Sequence, residues 1–382
     1  MDGYRNMSKY YVVLTGAIKN AGDYLITEKC KELLQYFRPD YELIQYGRWE
    51  SLEDKLDVVN NAEALILMGG PAVSKKMYPG IYKLTENLED IKVPVIPMAV
   101  GWNSDSGDFN SMLNFKFTDK SLELLEKIKN NGNHISVRDF YTNTLLQRYN
   151  VENSTMTGCA SWYTPEKIGK GLMIEKVETI AFTPAQDPKY AELSMKMMKL
   201  LRDTYPDKKI FCSFHRGIAT IDDYTDRIDA ENTKKLSEYA TSLNMENIDL
   251  SYSFDNYQKY DMIDYHIGFR VHAHLYFLSN RKPSILLHED GRGKSMSETI
   301  GLTGIDAFKT NYFIKKANFF NKVFKKLKLP INLRLDVDYE ALDKLEHMMK
   351  NHEANHYTLY NGVFKTFDSN FKIMEKFIMD LP

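Results

Sequence analysis

The chain has 382 residues, 43% of them hydrophobic and 27% charged, which makes it globular and long enough for two domains with separate cores. A formal net charge of -2 and a pI near 6.5 give no basic footprint for nucleic acid. No run of about 20 apolar residues is available to cross a membrane, and residues 1–20 lack the apolar core of a signal peptide.

Three widely spaced cysteines, Cys30, Cys159 and Cys212, form neither a disulfide framework nor a zinc spacing. The expected setting is a reducing cytosol, with peripheral contact at the inner face of the plasma membrane left open.

Strand and helix alternate through the first half. Residues 10–14 read as a strand, and 24–37 as a helix with Ile26, Cys30, Leu33, Leu34 and Phe37 at helical spacing. The unit repeats at 41–45 and 52–60. Apolar runs follow at 64–68, stopped by Gly69-Gly70-Pro71, at 95–99, stopped by Gly101-Trp102, and at 134–137, leading into Arg138-Asp139. Such runs suit parallel strands buried on both faces. Polar and glycine residues then gather on one sheet edge: Asn20, Gly22 and Asp23, then Gly69 and Gly70, then Trp102 and Asn103, then Arg138 and Asp139. Open α/β sheets bind ligands at that edge. Taken singly, each of these loops is a turn or a helix cap; jointly they outline a ligand-facing rim. Segment 104–117 is long, polar and aperiodic, the pattern of a substrate loop or of a merely mobile one.

The alternation lapses near residues 164–171, the expected linker. A second series then places strands at 177–183, 209–214, 248–251, 265–268 and 284–287, and helices at 190–204, 234–243, 254–263 and 271–279. The fold class expected is α/β, with two doubly wound, Rossmann-like domains facing a cleft, residues 1–165 and 172–315. Residues 316–382 differ, with helices expected at 319–327, 339–350 and 360–379. In the last of these Val363, Phe367, Phe371, Met374 and Phe377 form one stripe, which usually means docking onto the body of the protein; partner or membrane binding is the lesser reading.

The chemistry is expected around Gly268-Phe-Arg-Val-His-Ala-His274. Arg270 and His272 fall in the turn between a short buried strand and a helix, where backbone N–H groups and the helix dipole favour an anion. A further strand opens into Gly291-Arg-Gly-Lys-Ser295 ahead of another helix. That piece is not a P-loop, because the first glycine of the motif would fall at His288. Alone, an arginine at a helix start is a solvated charge and His266, His272 and His274 are packing residues; the shared turn at a strand end is what favours a site.

These residues carry a resemblance. Asn20-Ala-Gly-Asp23, Gly69-Gly70 after a strand, Ser136-Val-Arg-Asp139 and, above all, Gly268-Phe-Arg-Val-His-Ala-His274 with Lys282-Pro283 resemble the polysaccharide pyruvyl transferase family over roughly residues 10–302. The resemblance implies a two-domain architecture like that of B-type glycosyltransferases. It implies transfer of the enolpyruvyl group of phosphoenolpyruvate to a sugar, commonly ending as a pyruvate ketal on a surface or exopolysaccharide or its lipid-linked precursor. The family's donor turn maps onto Arg270 and His272, and a basic strand-end position maps more loosely onto Arg216, with His215 beside it. The chain departs from the family at Gly158-Cys-Ala-Ser161, where many members have a Gly-Asp-Pro-like turn.

Phosphoenolpyruvate carries a carboxylate and a phosphate, so two or three cations are required, and guanidinium groups bind both bidentately. Arg216 and Arg270 are the first choices, with Arg292 or Lys294 third. His272 is the expected general acid and Asp23 the base for the sugar hydroxyl. The rim of Asn20, Gly69, Gly70, Trp102 and Arg138 would hold the acceptor. No cofactor beyond the donor substrate and no metal is expected: Asp222-Asp223 and Glu289-Asp290 are short acidic pairs without metal spacing. Two rivals stay open, a nucleotide-sugar glycosyltransferase with Glu289 on a ribose, and a non-catalytic glycan-binding protein.

Overall fold

The structure, a computed structural model, describes residues 9–104, 106–130, 135–310, 321 and 335–382. Two six-stranded sheets organise it, each built from the buried apolar runs. The N-terminal sheet comprises β1 (Tyr10–Thr15), β2 (Glu42–Gly47), β3 (Ala64–Val73), β4 (Val95–Trp102), β5 (Ile135–Val137) and β6 (Ser154–Met156), in the order β2-β1-β3-β4-β5-β6. The C-terminal sheet comprises β7 (Thr179–Thr183), β8 (Lys209–Phe214), β9 (Glu246–Asp249), β10 (Tyr265–Gly268), β11 (Ser284–His288) and β12 (Ile305–Asp306), in the order β12-β11-β10-β7-β8-β9. Every pairing is parallel. The order of connection reverses between β1 and β3 in one sheet and between β7 and β10 in the other. Those switch points are where a doubly wound sheet opens a crevice at its carboxyl edge.

Helices cover both faces of each sheet, so central strands such as β3 and β4 are buried along nearly their whole length. The helix Ala21–Phe37 joins the halves: Cys30, Leu33 and Leu34 pack in the N-terminal core, while Ala21 and Leu25 pack with Phe211, Leu250, Tyr257 and Phe277 of the C-terminal half. The backbone N–H of Ala21 also donates to the carbonyl of His215 at 2.9 Å.

The stripe expected near the C-terminus lies on the helix Tyr360–Met379 and docks as expected. Val363, Phe364, Phe367, Phe371, Met374 and Phe377 enter the core that contains Tyr11, Val13, Ile26 and Leu34, and Phe367 stacks on Trp162 with ring centroids 5.0 Å apart. Each fully buried phenylalanine contributes about 1.5–3 kcal/mol. Arg281, in the C-terminal half, pairs with Asp368 of this helix at 2.5 Å. The helix expected over 319–327 lies outside the described residues.

Three expectations change. The apolar runs at 64–68 and 95–99 do not stop at their glycines, because β3 continues to Val73 and β4 to Trp102 through a register shift between Gly70 and Val73. Gly70 absorbs the irregularity at φ +87°. The helix expected over 254–263 is a 3-10 segment, Asp255–Tyr260. Gly291-Arg-Gly-Lys-Ser295 is the opening of a helix, Gly291–Ile300, capped by the Asp290 carboxylate accepting from the Arg292 N–H at 2.9 Å.

Candidate active site

A cavity of about 80 Å³ opens where the two carboxyl edges face each other. The N-terminal half supplies Asn20, Asp23, Pro71 and Arg138, and the C-terminal half supplies His215, Arg270, His272, Glu289, Asp290 and Arg292. The positioning follows from the switch point. The backbone N–H groups of Phe269 and Arg270 donate to the carbonyl and hydroxyl of Thr183 at the end of β7, at 2.8 and 3.2 Å. The turn after β10 is thereby fixed against β7, and the helix Val271–Ser279 starts from it.

Arg270 reaches across and donates through Nη2 to Oδ1 of Asn20 at 2.9 Å. The amide of Asn20 donates in turn to Asp23 Oδ2 at 3.1 Å. His272 packs directly on Gly22: a Cβ there would lie 2.6 Å from Nδ1. Its Nε2 is buried and has no protein partner. Arg138 is 2% exposed, donates through Nε to Asp139 at 3.2 Å, and leaves Nη2 buried without a protein partner. Glycine is required at 101, since a Cβ would fall 1.9 Å from Arg138 Nε. Arg292 is held by Asp290 through both carboxylate oxygens and lies 3.8 Å from Glu289.

The cavity sets three arginines, Arg138, Arg270 and Arg292, among three carboxyl groups, Asp23, Glu289 and Asp290, and burial shifts its titratable groups. Burial lowers the pKa of His272, and the charges of Arg138, Arg270 and Arg292 lower it further, to about 3. Burial and Arg270 also hold His215 well below its ordinary value; its Nε2 hydrogen-bonds the Tyr260 hydroxyl at 3.0 Å. Two of the carboxyl groups move the other way. Burial raises Asp23 against the opposing effects of Asn20, Arg48, Arg270 and Arg216. Burial and the neighbouring Asp290 raise Glu289 against Arg270 and Arg292.

Of the expected site residues, the cavity brings together His272, Asp23, Arg270, His215, Arg292, Asn20 and Arg138. Arg216 lies in a small cavity alongside, shared with His215 and Arg270, where it donates to the Tyr224 carbonyl at 2.8 Å. Four residues lie elsewhere. Lys294 pairs with Asp306 at 3.2 Å on another face, because residues two apart on a helix point in different directions and Arg292 is the one that faces the cavity. Trp102 is 4% exposed and packs edge-on against Phe115 in the N-terminal core. Gly69 sits beneath Ile26 inside β3, and Gly70 forms the irregularity beside it; Pro71 alone of that triplet lines the cavity. His266 and His274 are packing residues, both hydrogen-bonded to Ser284 Oγ at 2.7 Å.

Glu289 and Asp290, which the sequence offers as a short acidic pair without metal spacing and, for Glu289, as a ribose ligand in the nucleotide-sugar alternative, line the cavity. Their place directly after the β11 strand was the signal for them. Among the described residues, no group of three or more metal-ligating side chains is assembled, and no helix is long and apolar enough to cross a membrane.

Solved structures share the architecture. The UDP-GlcNAc 2-epimerase of Neisseria meningitidis is 9% identical, with a TM-score of 0.53 over 97% of this chain and 99% of that one. A putative UDP-N-acetylglucosamine 2-epimerase from Listeria monocytogenes is 10% identical, with a TM-score of 0.48 over 90% of this chain and 96% of that one. The first of these shows the fold alone, two Rossmann-like domains of the glycosyltransferase-B kind. No curated protein matches the chain's sequence. A family profile described as "Polysaccharide pyruvyl transferase" matches residues 20–290, a span that takes in every cavity-lining residue except Arg292 and Gly293, and the chain belongs to that family.

Proposed function

We propose that the protein transfers the pyruvyl group of phosphoenolpyruvate to two hydroxyls of a sugar, in a surface polysaccharide or its lipid-linked precursor, giving a pyruvate ketal. The observation that carries the reading is a pair of orphaned atoms. Arg138 Nη2 and His272 Nε2 are both buried without a protein partner, in a cavity that also presents Arg270 and Arg292. An unsatisfied buried polar group costs about 1–3 kcal/mol, and a small dense anion would relieve both. The donor supplies a carboxylate and a phosphate, each matched by a guanidinium fork.

In the proposed reaction a proton from His272 adds to the methylene carbon, and C2 becomes an oxocarbenium-like electrophile. A sugar hydroxyl bonds to C2 and gives its proton to Asp23. The C2–O bond to phosphate then breaks, with phosphate keeping the electron pair, and a second hydroxyl adds to C2 and gives its proton to the departing phosphate as the ketal closes. Negative charge building on the departing phosphate is met by arginines already in place, without solvent reorganisation. His272 is neutral in the empty site, so this reading requires the donor's negative charge to recruit its proton. The cytoplasm, at the inner face of the membrane when the acceptor is lipid-linked, fits three cysteines that are all buried and free.

Calorimetric titration with phosphoenolpyruvate against nucleotide sugars tests the donor. Mass spectrometry of the protein incubated with phosphoenolpyruvate and a panel of nitrophenyl and lipid-linked sugars tests the product. Binding of phosphoenolpyruvate and the mass gain of a pyruvate ketal are expected. Binding of a nucleotide sugar with none of phosphoenolpyruvate would overturn the reading.

A further inference from the structure

Glu289 directly follows β11 and lines the reaction cavity. Two contacts fix it. The Tyr190 hydroxyl donates to its carbonyl at 2.9 Å, and the backbone N–H of Gln186, in the loop after β7, donates to its Oε2 at 3.0 Å. Both donors belong to the C-terminal half, so the carboxyl group is oriented before any ligand arrives. Among the described residues, none donates a hydrogen bond to Oε1. Arg292 Nη2 lies 3.8 Å from it, beyond hydrogen-bond reach, because Asp290 holds that guanidinium through Nε at 3.0 Å and through Nη2 at 2.5 Å.

A carboxyl group withdrawn from water is ordinarily paired or hydrogen-bonded through both oxygens. The Glu289 side chain is 13% exposed, with one oxygen satisfied and the other open. Asp23, from the N-terminal half, lines the same cavity. In a space of about 80 Å³ a donor molecule touches both walls, so its reacting carbon lies between the two carboxyl groups. Either anionic end of the donor is the wrong occupant for Oε1, since like charges repel at hydrogen-bond distance. A neutral hydroxyl, which can donate, is the right one. Ketal formation brings two hydroxyls to one carbon in succession, and Asp23 serves only the first.

We propose that Glu289 Oε1 receives the second hydroxyl of the acceptor, so that Asp23 and Glu289 present a diol to the donor carbon from opposite walls. The proposal rests on the pyruvyl-transfer reading and adds to it the residue that decides whether the product is a ketal. Once the first hydroxyl is bonded to C2 and the bond to phosphate has broken, the second hydroxyl donates to Oε1 while its oxygen bonds to C2. Its proton crosses to Oε1 and passes from there to the departing phosphate, which restores the carboxylate. Burial and Asp290 raise the pKa of Glu289, and a more basic carboxylate is the better proton acceptor. When the second hydroxyl is not held, the oxocarbenium ion at C2 gives a methyl proton to phosphate instead. That leaves an enolpyruvyl ether, an isomer of the ketal with one sugar hydroxyl still free.

The test incubates the whole protein with phosphoenolpyruvate and with nitrophenyl and lipid-linked glucosides, galactosides and mannosides, and reads the product by proton NMR. The ketal shows a methyl singlet and the enolpyruvyl ether two vinylic signals, so isomers of equal mass are told apart. Wild type should give the ketal. Glu289→Gln keeps an oxygen for the Gln186 N–H and removes the proton acceptor. It should raise the ratio of enolpyruvyl ether to ketal at least about tenfold while binding phosphoenolpyruvate no more weakly than wild type, since a like charge has gone. Glu289→Asp, with its carboxylate withdrawn by one methylene, should fall between the two. A purely structural role would lower the melting temperature and total turnover and leave this ratio alone. An unchanged ratio in Glu289→Gln overturns the proposal, and so does a loss of phosphoenolpyruvate binding in the folded variant. Where Glu289→Gln does not fold, an unchanged ratio in Glu289→Asp overturns it. A wild type that makes only the enolpyruvyl ether overturns the proposal and leaves pyruvyl transfer standing; a wild type that pyruvylates no sugar strikes the pyruvyl-transfer reading itself.

Discussion

Arg270 and Asn20 meet across the two sheets, Nη2 donating to Oδ1 at 2.9 Å, and the same asparagine donates to Asp23 at 3.1 Å. One carboxamide thus orients both the proposed donor-side cation and the proposed base. Asn20→Asp keeps the shape and changes the charge. The new carboxylate would pair with Arg270 in competition with the donor, and its like charge would push the already raised Asp23 higher. The dissociation constant of phosphoenolpyruvate should rise at least about tenfold with little change in melting temperature. Unchanged donor affinity in a folded variant would remove Arg270 from the donor site.

Arg270→Lys retains the charge and loses the planar fork. A compact ammonium cannot hold Asn20 and an oxyanion together in the same geometry. Donor affinity should fall by about tenfold or more while the KM of the acceptor stays within about twofold. Equal losses for donor and acceptor would contradict a donor role.

Chelation separates arginine-based from metal-based charge compensation. The proposed reading has Arg138, Arg270 and Arg292 meet the donor's negative charge, so turnover should persist after exhaustive dialysis against EDTA. Activity lost to EDTA and restored by magnesium or manganese would show that a divalent ion belongs in the reaction.

Much of this arrangement was legible in the sequence, and its gaps have physical causes. The strand Tyr265–Gly268 and the helices Val271–Ser279 and Tyr360–Met379 were readable to the residue because period and length agreed with one another. Arg270, His272 and Arg292 were readable because a switch point follows from βα order. The rim was legible less well. Gly69-Gly70 and Gly101 looked like stops, yet parallel neighbours carry β3 and β4 through them, and local turn preference yields to such tertiary pairing. Trp102 consequently falls in a buried strand end instead of a loop. Lys294 was misplaced because its helix starts at Gly291, which fixes its angle relative to Arg292.

The acid role proposed for His272 admits the sharpest test. In the empty site its pKa is lowered to about 3, so at neutral pH the ring is uncharged. A bound donor brings negative charge to Nε2, which favours the imidazolium and raises the pKa. Between the two values, phosphoenolpyruvate binding must therefore take up about one proton. Calorimetry in buffers of different ionisation enthalpy measures that uptake directly. Because the protonated ring is the acid, turnover should fall as pH rises through the pKa of the donor complex, and donor affinity should weaken over the same range. His272→Gln keeps a hydrogen-bond donor of similar bulk but cannot titrate. It should still bind phosphoenolpyruvate, show no proton uptake, lose the alkaline limb of the pH–rate profile and turn over at least about a hundredfold more slowly. A packing role forecasts the reverse, a lower melting temperature with turnover per folded molecule nearly intact. Proton uptake that persists in the variant would move the titrating group to Asp23 or Glu289, whose carboxyl groups are raised by burial, and would take the acid's role from His272.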